Sequence, residues 1–218
     1  MGDLIRLKDR FFSPAFEERF PMEDDARMRL LPRRVYSLLL PALRAHKPVV
    51  FLCIGTDRST GDALGPLVGN KLMEWRERPF EVIGTLEDPV HASNLKQAIH
   101  SIDTRFPVRH VVAVDACLGR LENVGSITLG SGSLRPGAGV NKNLPPVGDC
   151  FITGTVNVGG FMEYFVLQNT RLSFVMRMSE AISQAIRQAF DLYERSSSID
   201  DEVSLREAAR VTDPASLI

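Results

Sequence analysis

Two hydrophobic periods alternate along this chain, and their succession marks out strands and helices from residue 48 onward. Residues 49–54 form an unbroken apolar run, which predicts a strand buried on both faces. Leu64, Leu67, Val68, Leu72 and Trp75 then recur at helical steps as one apolar stripe. Residues 81–86 predict a short second strand, and residues 92–102 a second helix with Leu95, Ala98, Ile99 and Ile102 inward. Residues 111–116 give a third buried strand. Strands separated by helices of this length are βαβ units, which join parallel strands by right-handed crossovers. Residues 125–129 and 151–156 predict two more strands and residues 161–167 a helix. Residues 172–193 predict a long terminal helix with Phe174, Met178, Ile182, Ile186 and Phe190 at four-residue steps. The fold class is α/β, a three-layer α/β/α sandwich around a mostly parallel sheet.

The flanks read differently. Residues 1–47 are mixed in charge. Leu31, Val35, Leu38, Leu39 and Leu43 keep helical spacing there, but Pro32 and Pro41 limit them to a short or kinked helix lying on the body. Residues 196–218 open with three serines and are rich in acids, which predicts a mobile tail. The organisation is an N-terminal extension over 1–47, one domain over 48–195 and an acidic tail over 196–218.

Charge and cysteine content narrow the function. With 26 Lys and Arg against 27 Asp and Glu, the chain has no bulk attraction to nucleic acid or an anionic membrane. Its longest apolar run falls far short of the roughly 20 residues that span a bilayer. Asp3 and Asp9 sit where a secretory leader would need an apolar stretch, so none is expected. Cys53, Cys117 and Cys150 lack CxxC or Cys/His ligand spacing, which points to reduced thiols in a cytoplasmic setting.

The ends of the apolar strands carry the candidate chemistry. After the first comes Gly55-Thr56-Asp57-Arg58-Ser59-Thr60-Gly61-Asp62, at the edge where a doubly wound sheet usually holds a phosphate. The phosphate-loop spacing is absent, and Asp62 stands where that loop has its lysine, so a nucleotide is not expected. The small residues Gly55, Thr56 and Gly61, with Asp57, instead offer a ligand close approach beside the Asp62 carboxylate. Capping the following helix is the structural alternative for Asp62, although Pro66 would make Gly65 the cap. The third strand ends in Val114-Asp115-Ala116 and supplies a second carboxylate. If the second and third strands flank the first, the two aspartates meet at a topological switch point, where ligands bind. His91 follows the second strand at the same edge; a cap at the start of a helix is its competing role. Residues 135–146, with Asn141 and Lys142 among Gly and Pro, form either a surface loop or a lid over the crevice. Neither GxSxG nor HExxH occurs.

The phrase Cys53-Ile54-Gly55-Thr56-Asp57-Arg58-Ser59-Thr60-Gly61-Asp62-Ala63-Leu64-Gly65-Pro66, with Val114-Asp115-Ala116 and Pro136-Gly137-Ala138-Gly139-Val140-Asn141-Lys142, resembles the YyaC family of sporulation proteins over about residues 48–195. The resemblance implies kinship with the germination protease of spores, which degrades the small acid-soluble proteins coating spore DNA. It also implies the phosphorylase-like sandwich of the hydrogenase-maturation endopeptidases. The catalytic aspartates of germination protease correspond to Asp62 and Asp115, with Gly55, Thr56, Asp57, Gly61, Asn141 and Lys142 around the substrate. In the maturation endopeptidases a histidine from a later helix joins the acidic pair on nickel, and around residues 151–157 this chain has none. The implied function is a peptidase acting on a protein substrate in the developing spore with no cofactor. Three alternatives stay open: a divalent metal held by Asp62, Asp115 and His91, an inactive binding or regulatory protein, and assembly into a homo-oligomer.

Overall fold

The computed structural model describes residues 16–137 and 144–211, with side chains through residue 198. Six strands form one sheet: β1 (Glu17–Pro21), β2 (Val49–Cys53), β3 (Glu81–Ile83), β4 (His110–Gly119), β5 (Ser126–Ser131) and β6 (Cys150–Val158). Their order is β1-β5-β6-β4-β2-β3. Neighbours in the stretch β3-β2-β4-β6 run parallel, whereas β5 is antiparallel to both β6 and β1. The helices are α1 (Asp25–Met28), α2 (Leu31–Arg44), α3 (Leu64–Met73), α4 (Leu95–Arg105), α5 (Glu163–Gln168) and α6 (Leu172–Val211). Short 3₁₀ turns lie at Gly61–Ala63 and Leu121–Asn123.

The alternation of β2 sorts the core into two layers. Val49, Phe51 and Cys53 join α2, α3 and α6 in one cluster. Val50, Leu52 and Ile54 join α4 in the other, as successive side chains of a strand point to opposite faces. This is the α/β/α sandwich expected from the sequence, with α2, α3, α5 and α6 contributing buried side chains on one face and α4 on the other. β2 lies between β3 and β4, so the winding reverses at β2 and opens a crevice at the carboxyl ends of β2 and β4.

Several boundaries depart from the sequence expectation. Residues 17–21 add an edge strand, and Phe20 from it is fully buried in the same cluster as Leu31, Val35 and Leu39 of α2. The N-terminal segment thus builds part of the sheet and the core. Charged Glu17, Glu18 and Arg19 suit a sheet edge, where they discourage pairing with another chain. Helix α2 runs through Pro41 to Arg44, and Pro32 sits in its first turn, where its missing N–H costs nothing. The terminal helix does not stop at residue 193 but continues to Val211.

Candidate active site

The chain leaves β2 into a loop that closes on itself. Gly55 N–H donates to the Val90 carbonyl at 2.7 Å, and Thr56 N–H donates to the Asp62 carbonyl at 3.1 Å. Gly55 has φ +148°, and a Cβ built there would lie 2.0 Å from the Asp62 carbonyl oxygen. At Gly61 a Cβ would lie 2.7 Å from Leu167 Cδ2 of α5. The neighbouring chain therefore fills the space beside both glycines, which were expected to admit a ligand. Their role is to fold the loop tightly. Thr56 Oγ1 accepts from Arg58 N–H at 3.3 Å, and Asp57 is exposed at the loop's rim.

Asp62 lies inside the 3₁₀ turn, and α3 starts after Ala63 with no side-chain cap. Neither Asp62 nor Gly65 caps the helix. Gly65 instead lets α3 press against β2, since a Cβ there would lie 2.1 Å from the Ile54 carbonyl oxygen. Asp62 is thereby held at the carboxyl end of β2, part-buried.

Asp115, expected at a strand end, lies mid-strand because β4 runs on to Gly119, but it comes just past the last β2–β4 pair, Cys53 with Val114, and is also part-buried. Burial pushes its carboxyl well above the ordinary carboxylate range. A hydrogen bond from Ala116 N–H to Oδ1, 2.8 Å long, works in the opposite direction, and the negative charge of Asp62 raises the pKa further. The two aspartates thus share one electrostatic environment.

His91 follows Val90, which bridges Ile54, so its backbone lies beside the loop. Its Nδ1 contacts Ser93 Oγ at 2.8 Å, and its N–H donates to Asn94 Oδ1 at 2.7 Å. These bonds shape the start of α4, the competing role read from the sequence. Among the described residues no three His, Cys, Asp or Glu side chains come together as a metal-binding group. Paired backbone bonds between Leu134 and Val147, 2.8 and 2.9 Å long, close the neck of the 135–146 loop. Asn141 and Lys142 at its tip lie outside the described residues.

Sequence reasoning missed the floor of the crevice. Asp115 pairs with Thr153 of β6, Thr153 with Thr128 of β5, and Thr128 with Arg19 of β1. Register partners share a face, so these four residues form a polar row across four strands, next to a second pair, Cys117 and Thr155. Both threonines of the row are buried, and Cys117 Sγ lies 3.4 Å from Thr155 Oγ1. The alternation Thr153-Gly154-Thr155 was the available signal. Burial raises the Cys117 thiol, which makes it a poor nucleophile at neutral pH. Cys150 at the amino end of β6 has His110 Nε2 at 3.3 Å, with Asp149 beyond His110 at 3.9 Å. That order of groups suggests a thiol nucleophile, but Cys150 is 1% exposed and burial holds its thiol protonated.

Comparison with known proteins gives three findings. The family model described as "Protein of unknown function (DUF1256)" matches residues 22–185. The "Uncharacterized protein YyaC" of Bacillus subtilis (strain 168) is 55% identical over 156 residues, covering 71% of this chain and 76% of that protein. Among solved structures, the [NiFe] hydrogenase maturation protease HycI of Thermococcus kodakarensis KOD1 aligns with 65% of this chain and 93% of its own, at 19% identity and a TM-score of 0.41.

Proposed function

We propose that this chain, which belongs to the DUF1256 family, is a peptidase that hydrolyses a protein substrate with the pair Asp62 and Asp115. The observation that carries the reading is the Asp115 carboxyl, raised by burial and by the Asp62 charge at a topological switch point. Such an environment separates two carboxyl groups into an acid and a base. Ionised Asp62 takes a proton from a water whose oxygen bonds to the scissile carbonyl carbon. Protonated Asp115 then gives its proton to the amide nitrogen as the carbon–nitrogen bond breaks, and a carboxylic acid and an amine leave. One proton has entered the pair and one has left it, so transfer between the two aspartates restores the starting state.

The resemblance to sporulation proteins supports a small acid-soluble spore protein as substrate and the developing spore as the setting. The donor set does not favour a metal-bound water, because His91 is engaged by Ser93 rather than grouped with the aspartates. Incubation of the purified protein with a small acid-soluble spore protein tests the reading. Discrete fragments are expected, unchanged by a chelator. Asp62→Asn and Asp115→Asn should each slow cleavage by about 10²-fold or more, as loss of an acid or base does. Absence of fragments would favour a binding or regulatory role. Loss of activity on chelation, restored by adding the ion, would favour a metal mechanism.

A further inference from the structure

We propose that Arg19 anchors a subsite for an acidic side chain of the substrate, about two to four residues from the scissile bond. This inference rests on the peptidase reading only in taking the ligand to be a polypeptide. The residue stands at the far end of the polar row, with Thr128 and Thr153 between it and Asp115. Adjacent strands lie about 4.8 Å apart, so three steps put the Arg19 backbone about 14 Å from that of Asp115. An extended peptide advances about 3.3 Å per residue, which makes the row roughly four residues wide. The long side chains of arginine and of a substrate glutamate shorten that count.

The guanidinium is held and still has capacity. Arg19 Nη1 donates to Asn123 Oδ1 at 2.9 Å, which fixes the side chain toward the carboxyl ends of the strands. Glu17 Oε1 lies 3.9 Å from Nη2, too far for a hydrogen bond. Arginine carries five N–H donors in a planar fork suited to a carboxylate, and the side chain is 44% exposed. Its field reaches Cys117, two residues beyond Asp115 on the same face, where it opposes the rise of the thiol pKa. The charge therefore acts on the crevice itself. Thr128 and Thr153 between the two ends are buried, so a substrate spanning the row passes above them and meets the protein at its two ends.

Binding tests the subsite apart from catalysis. The probe is a fluorescein-labelled unstructured peptide series in which one Glu moves position by position, each member matched by a Gln version. Affinity is read by anisotropy on the full chain carrying Asp115→Asn, which stops turnover and keeps the charge of a protonated Asp115. The expected result is a Glu-over-Gln preference confined to a short window of positions. Arg19→Gln should reduce that preference by about threefold to tenfold, Arg19→Lys should retain part of it, and thermal unfolding should be unchanged in both. A preference that survives Arg19→Gln, or no preference at any position, overturns the subsite. Arg19-dependent preference without cleavage by the unmutated protein would uphold the subsite and overturn the peptidase reading.

Discussion

Adding one methyl group at Gly55 should disturb the fold and the aspartate pair together. In Gly55→Ala the new Cβ would stand 2.0 Å from the Asp62 carbonyl oxygen and 2.8 Å from Pro66 Cδ. The carbonyl cannot swing away freely, because it accepts the Thr56 N–H at 3.1 Å. Overpacking of this kind costs about 1–3 kcal/mol. The φ of +148° adds strain for any residue with a side chain, about 1–3 kcal/mol. The combined cost is about 2–6 kcal/mol, which in a chain of this length lowers Tm by about 4–24 °C. Gly132→Ala serves as the control, since Gly132 also has positive φ, +93°, but has no atom within 4 Å of its Cβ position. It should show strain alone, so the two variants should differ by about 1–3 kcal/mol in thermal or urea unfolding. The strain in Gly55→Ala is relieved by moving the Asp62 backbone away from residue 55, which shifts Asp62 relative to Asp115, so activity should fall even where the protein remains folded. Equal destabilisation by the two variants would refute the packing of the loop.

Further outcomes follow from the same geometry. Asp115 has a raised pKa in the folded state, so its contribution to stability is complete below the unfolded carboxylate value of about 3.9 and is lost as pH rises through the folded value. Urea unfolding across pH should therefore show Asp115→Asn gaining on the unmutated protein as pH rises, and a constant difference would contradict the assigned burial. Phe190 is 1% exposed and packs its ring 4.9 Å from Phe80, so Phe190→Ala should cost about 3–5 kcal/mol in the same assay. Cys53 and Cys150 are buried with raised thiol pKa values, and they should resist alkylation at neutral pH until the protein unfolds.

What could be read from the sequence was what local periodicity encodes. The run at β2, the stripe of α3 and the four-residue steps of α6 each announce their elements, and the reversal of winding at β2 sets the strand that carries Asp115 beside the one that leads to Asp62. The edge strand β1 left no such trace: it buries one side chain, Phe20, and is held by backbone pairing to β5, more than a hundred residues away. Of the polar row only the alternation Thr153-Gly154-Thr155 was visible, since Arg19, Thr128 and Thr153 become neighbours only through long-range register. Pro41 misled in the other direction, because packing of α2 against the core outweighs the hydrogen bond that a proline removes. At Gly55 and Gly61 the small residue was legible, but whether ligand or protein fills the space is a tertiary fact.

The central claim is that Asp62 and Asp115 form one site in which Asp115 holds a proton. Carbon-13 NMR titration of the side-chain carboxyl groups, with Asp115 assigned by its loss in Asp115→Asn, measures this directly. Asp115 should titrate well above the usual carboxylate range in the unmutated protein, and Asp62→Asn should lower its pKa by removing the neighbouring charge, while burial keeps it above the ordinary value. An ordinary Asp115 titration, or one unmoved by Asp62→Asn, would contradict the account.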